Sequence, residues 1–294
     1  MFDLLLSDVF QKALLGGTAA AAMAGVVGYF LVLRLQAFAA EAFMDICFAG
    51  ATGASLLGQS PLIGMIAFSV VSALSLGALG ERARGRSVEI GMVLSFALGL
   101  GVLFLSIYTR SSALHANAGV SILFGSILSV QPADIYRMLA CGSVALAALA
   151  TVYRPLLFAS IDPTTARARG VPVRALSVVF LLVLAVAASA CTFVVGVLLA
   201  SALLIAPAAA AVRMTRRPAH ALLLSVGFGI FITWAGLLVS FIGPWRHPPI
   251  GFSISAIAAL MYGAAIILGR RGHPRRLIVA VDLDREVRSS GGMP

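Results

Sequence analysis

Nine times along its 294 residues this chain runs for 18 to 24 residues with almost no charge, at 12–33, 38–57, 61–79, 88–108, 136–157, 175–194, 196–213, 219–242 and 250–268. A helix needs about 20 apolar residues to cross the hydrocarbon of a bilayer. Inside hydrocarbon the backbone finds no water to bond with, so runs of this kind cross only as helices. Composition agrees: 61% of residues are hydrophobic and 11% are charged, the latter about half the share of a soluble domain. The expected fold is an all-α integral membrane protein of about nine transmembrane helices. These proportions exclude a soluble enzyme, a disordered regulator and a nucleic-acid binder. A further apolar stretch, 119–130, is too short to cross and predicts a re-entrant helix packed inside protein. Residues 1–268 make up the membrane part. Residues 269–294 read as a basic tail, with a short strand over Leu277 to Leu283 and a disordered end.

The net charge of +10 serves as a test of topology. With the N-terminus outside and nine crossings, the inner segments carry 17 of the 21 basic residues. They comprise Arg34, the Arg82, Arg84 and Arg86 turn, Arg154 with Arg167, Arg169 and Arg174, the Arg213 to Arg217 turn, and the tail. Lys12, Arg110, Arg137 and Arg246 remain outside. Basic residues concentrate on the cytoplasmic side of membrane proteins, so the C-terminus is expected inside, in the cytoplasmic membrane. Counting 119–130 as a full crossing would move the 158–174 loop outside and destroy the bias. Arg270, Arg271, Arg275 and Arg276 suit anionic lipid headgroups.

Several chemistries are absent. The chain has one lysine, Lys12, followed by Ala13 and preceded by no glycine-rich loop. A Walker A loop needs that lysine for the phosphates, so any ATP hydrolysis belongs to a partner and the chain is not expected to be an enzyme. Cys47, Cys141 and Cys191 lie far apart in apolar runs and read as small packing residues rather than a disulfide framework. Asp3 and Asp8 stand where a cleavable leader has basic residues, so none is expected.

Glu41 and Asp45 carry the functional signal. They fall within the second run, flanked by Phe38, Phe43, Ile46 and Phe48, with no basic residue in that run. Their i, i+4 spacing puts both carboxylates on one helix face. Charge in a membrane is costly and marks a pathway or a pairing partner. Two unneutralised carboxylates suit a transiently bound cation; an interfacial position or a protonated helix contact is the plainer alternative. Cys47, at i+2, points elsewhere on the helix and reads as packing. His115 and His247 fall in outer loops, where imidazoles can receive a metal before it enters. His220 and His273 carry no assigned role, and Glu89 is expected to pair with arginines at the inner face.

Four stretches in order resemble the membrane permease subunit of metal-ion ABC importers, the zinc/manganese/iron permease family. They are Tyr29 to Arg34 followed by the Glu41/Asp45 helix and Gly50; Leu123-Phe124-Gly125-Ser126-Ile127-Leu128; Asp162-Pro163 with Ala166, Ala168 and Gly170-Val171; and Val195 to Leu199 with Ala202 to Leu204 and Pro207-Ala208. The resemblance runs from about Gly16 to Gly269. It departs at one point: where the family carries Asp-x-x-x-His, this chain has Glu41 and Asp45. Oxygen for nitrogen tilts a site from zinc towards manganese or iron(II). The Leu79-Gly80-Glu81-Arg82 turn and Gly99 to Phe104 resemble zinc importers, and on that ground zinc ranks ahead of manganese.

The resemblance implies a homodimer of permeases, two ATP-binding subunits inside, an extracytoplasmic metal-binding protein outside, and no permanently bound cofactor. It also implies a coupling helix in the 158–174 loop. Asp162-Pro163 is a helix start with proline at the first position, and Gly170 ends the helix. Asp162, Ala166, Arg167, Arg169 and Gly170 are the residues assigned to contact with the ATPase. Gly196 and Pro207 bracket a small-residue helix, Ala200 to Ala211, suited to gating or to close packing. A metal-chelate permease is the near rival. A secondary metal transporter would need two inverted halves, and no internal repeat is evident. Single cysteines at positions 131 to 134 should react with a membrane-impermeant maleimide from outside the cell; reaction only from the cytoplasmic side would add a crossing.

Overall fold

A computed structural model describes residues 8–79, 87–111, 119, 122–123, 125, 132–215, 217–242 and 250–269. The elements in chain order are α1 (Asp8–Leu33), α2 (Ala37–Leu56), α3 (Pro61–Leu79), α4 (Ser87–Ser111), α5 (Pro132–Thr151), α6 (Tyr153–Ile161), α7 (Pro163–Ala168), α8 (Val173–Val195), α9 (Val197–Met214), α10 (Pro218–Ile242) and α11 (Ile250–Gly269). All of the long apolar runs are helical over almost their whole length, and no strand occurs among the described residues. Six of the described helices are long and apolar enough to cross a membrane: those over Phe10–Leu33, Gly91–Arg110, Ala133–Thr151, Val173–Val195, Pro218–Phe241 and Ile250–Leu268. The helix α2 is not among them, because Glu41 and Asp45 lower its hydropathy. The 119–130 stretch lies outside the described residues except for Gly119, Ile122, Leu123 and Gly125, and the tail beyond Gly269 lies wholly outside them.

One expected span is corrected. The run 136–157 is not a single helix; α5 starts earlier, at Pro132, and stops at Thr151, and α6 resumes at Tyr153. Pro155 is the cause. Its ring meets the carbonyl four residues back, which is Thr151, and it has no N–H to donate there.

Two helices make the centre. The apolar stretch of α8 is 78% buried and that of α1 67%; α8 packs on α1, α2, α3, α5 and α9. Phe30, Phe43, Phe48 and Phe180 are fully buried among them. By contrast α4 is only 11% buried over its span, and it packs on α2. Lipid tails are as apolar as leucine, so the helices here are held by close contact and by hydrogen bonds rather than by exclusion of water. Contact is close between α2 and α3, where a Cβ on Gly50 would meet the Gly64 carbonyl oxygen at 2.4 Å, and one on Gly64 the Gly50 oxygen at 2.1 Å. Only two glycines allow that approach.

Polar side chains in the bundle tie distant elements together. In the α1–α2 turn, Arg34 Nη2 donates to Ser177 Oγ on α8 at 2.6 Å, and its guanidinium lies 5.1 Å from the Phe180 ring centre. Ser225 Oγ on α10 donates to the Gly25 carbonyl on α1 at 2.7 Å. Asp134 at the start of α5 accepts from Ser60 in the α2–α3 turn at 2.9 Å and from Arg137 at 2.8 Å. Gly50→Val should force α2 and α3 apart and cost about 1–3 kcal/mol or more, lowering the thermal unfolding midpoint in detergent. Gly263→Ala, with open space around it, should not lower the midpoint, since alanine is the better helix former.

Candidate functional site

The helix α2 carries Glu41 and Asp45 in its first two turns. Glu41 is exposed and Asp45 half-buried. Around them the helix is closed off: Ala42, Phe43, Met44, Ile46, Cys47 and Phe48 are all buried. The accessible face of the first turns of α2 therefore carries Phe38, Glu41 and Asp45 together. Among the described residues neither carboxylate is in an ion pair. No three His, Cys, Asp or Glu side chains converge among the described residues. His115 and His247 lie outside the described residues.

The short helix expected over Thr164 to Arg169 in the 158–174 loop is present as α7, shifted by one residue to Pro163–Ala168 with Arg169 as its C-cap. Asp162 caps it: its carboxylate accepts from the backbone N–H groups of Thr164 at 3.1 Å and Thr165 at 3.0 Å. The hydroxyls of Thr164 and Thr165 donate to the same group. Those hydroxyls, followed by the backbone bonds, hold the Asp162 carboxyl well below the ordinary aspartate range. Ala166 is fully buried, turning the helix so that Arg167 and Arg169 are exposed. The Arg169 guanidinium lies 5.7 Å from the Phe158 ring centre on α6. Gly170, at φ +78°, ends the helix, and α7 packs on α6 and α8.

Gly196 is the sole residue between α8 and α9, at φ +96° and ψ 157°, a region open in practice to glycine alone. Gly125, also at positive φ, sits against it: a Cβ there would meet the Val195 carbonyl carbon at 2.6 Å. Pro207 lies inside α9, and α9 runs from Val197 rather than Ala200. Pro207 removes the hydrogen bond to the carbonyl four residues back, and a Cβ on Gly28 of α1 would meet the next carbonyl, that of Leu204, at 2.1 Å.

The sequence reading of Cys47 as packing is incomplete. The Cys47 sulfur lies 3.1 Å from Ser69 Oγ on α3 and 3.5 Å from Ser189 Oγ on α8. Ser69 and Ser189 are not the only serines of their apolar runs, which also hold Ser72, Ser75 and Ser177, so the sequence does not single them out.

An apolar bundle of helices with one unneutralised carboxylate strip and a capped amphipathic loop helix is the build of a multi-pass membrane permease. Residues 7–269 match the ABC 3 transport family. The chain belongs to that family and is a membrane permease of a metal ABC importer. It is 31% identical over 266 residues to the manganese transport system membrane protein MntC of Halalkalibacterium halodurans, covering 90% of this chain and 89% of that protein. It is 29% identical over 232 residues to the manganese import system permease protein ScaB of Streptococcus parasanguinis, covering 79% and 81%. Among solved structures it is similar to PsaBC from Streptococcus pneumoniae in complex with Fab, with TM-score 0.77, 27% identity, and coverage of 90% of this chain and 93% of that one. A transporter described as of metal-chelate type, in an inward-facing conformation, is 19% identical with TM-score 0.61, a likeness of fold alone. None of these names supports ranking zinc first.

Asp162→Ala should speed hydrogen exchange at the Thr164 and Thr165 amides while leaving the long helices unchanged. The sign with pH follows from the lowered carboxyl. The ionised cap is fully present above the ordinary aspartate value of about 3.9 and is lost only as pH falls through its lower folded value. The two amides should therefore stay protected down to that pH.

Proposed function

We propose that this permease passes a divalent transition metal ion, manganese(II) first, with iron(II) and zinc(II) behind it, driven by a separate ATP-binding subunit. The observation that carries the reading is the pair Glu41 and Asp45, unpaired on a buried helix. Their oxygens suit a hard ion, and the relatives named for manganese point the same way. Glu41 and Asp45 form a transient station for the ion. Two carboxylates leave its coordination incomplete, and a second copy of the chain, with its own α2, supplies the rest. The extracytoplasmic metal-binding protein delivers the ion, and His115 and His247 receive it.

In this reading all of the apolar runs cross, with the N-terminus outside and the C-terminus inside. The packing of Gly125 against the α8–α9 joint supports a re-entrant 119–130 segment, since it brings the segment to the end of α8 remote from α7. The exposed Arg167 and Arg169 of α7 then face two ATP-binding subunits. Asp162, Ala166 and Gly170 hold the helix in shape for that contact.

Glu41→Gln with Asp45→Asn should abolish manganese uptake while the protein still assembles with its ATPase; uptake at the wild-type rate would remove the station. Asp45→His should shift the preference towards zinc, read as the ratio of zinc to manganese uptake. Arg167→Glu should lower the ATPase stimulation that accompanies transport, and unchanged stimulation would remove α7 from the coupling role.

A further inference from the structure

The C-terminal ends of α9 and α11 come together at a positive charge that no described residue balances. Arg213 lies in the last turn of α9, and its guanidinium stands 5.5 Å from the Tyr262 ring centre on α11. Tyr262 comes seven residues before α11 ends, about 10 Å short of that end at the rise of an α-helix. The arginine therefore stands against the flank of α11, not beyond it. Past Tyr262 the same helix still exposes Ile267 and Leu268, and Met214 beside Arg213 is exposed too. Arg217, in the turn to α10, is also exposed. In sequence no acidic residue occurs between Asp162 and Asp282, so α8 to α11 hold no counter-charge of their own. Among the described residues neither arginine is in an ion pair. The ring face of Tyr262 attracts the cation without neutralising it.

Charge beside hydrocarbon is costly and takes a partner at its own depth. The exposed flank of a membrane helix meets acyl chains, and at their outer limit lie the lipid phosphates. A phosphodiester accepts the planar fork of arginine through two oxygens. We propose that Arg213 and Arg217, with Tyr262 as a backing ring, form a site for the phosphate of an anionic phospholipid whose acyl chains lie along α11. A zwitterionic lipid brings its own cation and leaves the two arginines unbalanced, so the site selects net negative charge. A soluble subunit would meet the helix ends and the turns between them, not the flank of α11 beside Ile267 and Leu268. Bound there, the lipid ties the end of α9, the helix that carries Pro207, to α11. The site is separate from the station at Glu41 and Asp45 and does not depend on which ion passes.

The test titrates phosphatidylglycerol or phosphatidylcholine into the full-length permease, purified in detergent with its partner subunits, and counts bound lipid by native mass spectrometry. The wild type should bind phosphatidylglycerol the more tightly, and added phosphatidylglycerol should raise its thermal unfolding midpoint. A basic residue at a membrane surface attracts anionic lipid enough that losing two weakens binding about 30-fold. Arg213→Gln/Arg217→Gln should therefore lose phosphatidylglycerol by that factor and lose the rise in midpoint, with phosphatidylcholine binding unchanged. Arg110→Gln, an exposed arginine in the last turn of α4, should bind both lipids as the wild type does. If the double variant does not assemble, Arg213→Gln alone should weaken phosphatidylglycerol binding about 5-fold. Equal affinity of the wild type for the two lipids overturns the proposal, as does an equal loss in Arg110→Gln. Wild-type phosphatidylglycerol binding by a variant that sheds its ATPase also overturns it, and would turn the arginines to the subunit instead.

Discussion

With no water at hand in hydrocarbon, each backbone N–H and C=O must find its partner within its own helix. That constraint decides the architecture, and it also decides what holds the architecture together. Once the backbones are satisfied, the helices have little reason to associate except contact and side-chain hydrogen bonds. Contact is supplied where glycine lets two backbones touch, as at Gly50 and Gly64. Hydrogen bonds are supplied by single polar residues that reach across, Arg34 to Ser177, Ser225 to Gly25, and Trp234 Nε1 to Thr18 Oγ1 at 2.9 Å. Against that background of satisfied groups, two carboxylates with no counter-charge stand apart.

Much of the fold was readable before any coordinates. Apolar runs locate the helices because length in hydrocarbon is fixed by bilayer thickness. The ends of α7 followed from an Asp-Pro start and a glycine stop, both local effects. The break after Thr151 was also local, a consequence of Pro155, and a stricter reading of that proline would have placed it. Which helix packs on which was not readable. A soluble helix betrays its buried face by alternation with polar residues, but α8 and α10 are apolar all round. Neither periodicity nor composition therefore separates the buried α8 from the exposed α4.

The site divides in the same way. Glu41 and Asp45 were legible because charge inside an apolar run is conspicuous, and i, i+4 spacing needs no tertiary knowledge. The surroundings of Cys47 were not, because Ser69 and Ser189 stand 22 and 142 residues from it in the chain and only the packing of α2 against α3 and α8 unites them. The identity of the ion is less local still. Oxygen for nitrogen at position 45 points to manganese, while the resemblance of two other segments points to zinc, and local residues alone do not rank the two.

The junction between α7 and α8 has a mechanical meaning. Between Ala168 and Val173 the chain is braced by Val171 N–H to the Ala166 carbonyl at 3.0 Å and Val173 N–H to the Val171 carbonyl at 2.8 Å. Beyond it α8 continues unbroken for 23 residues to Gly196, about 35 Å at the rise of an α-helix. One continuous helix thus carries both the Ser189 contact with α2 and the Gly196 joint, with α7 fastened at its opposite end.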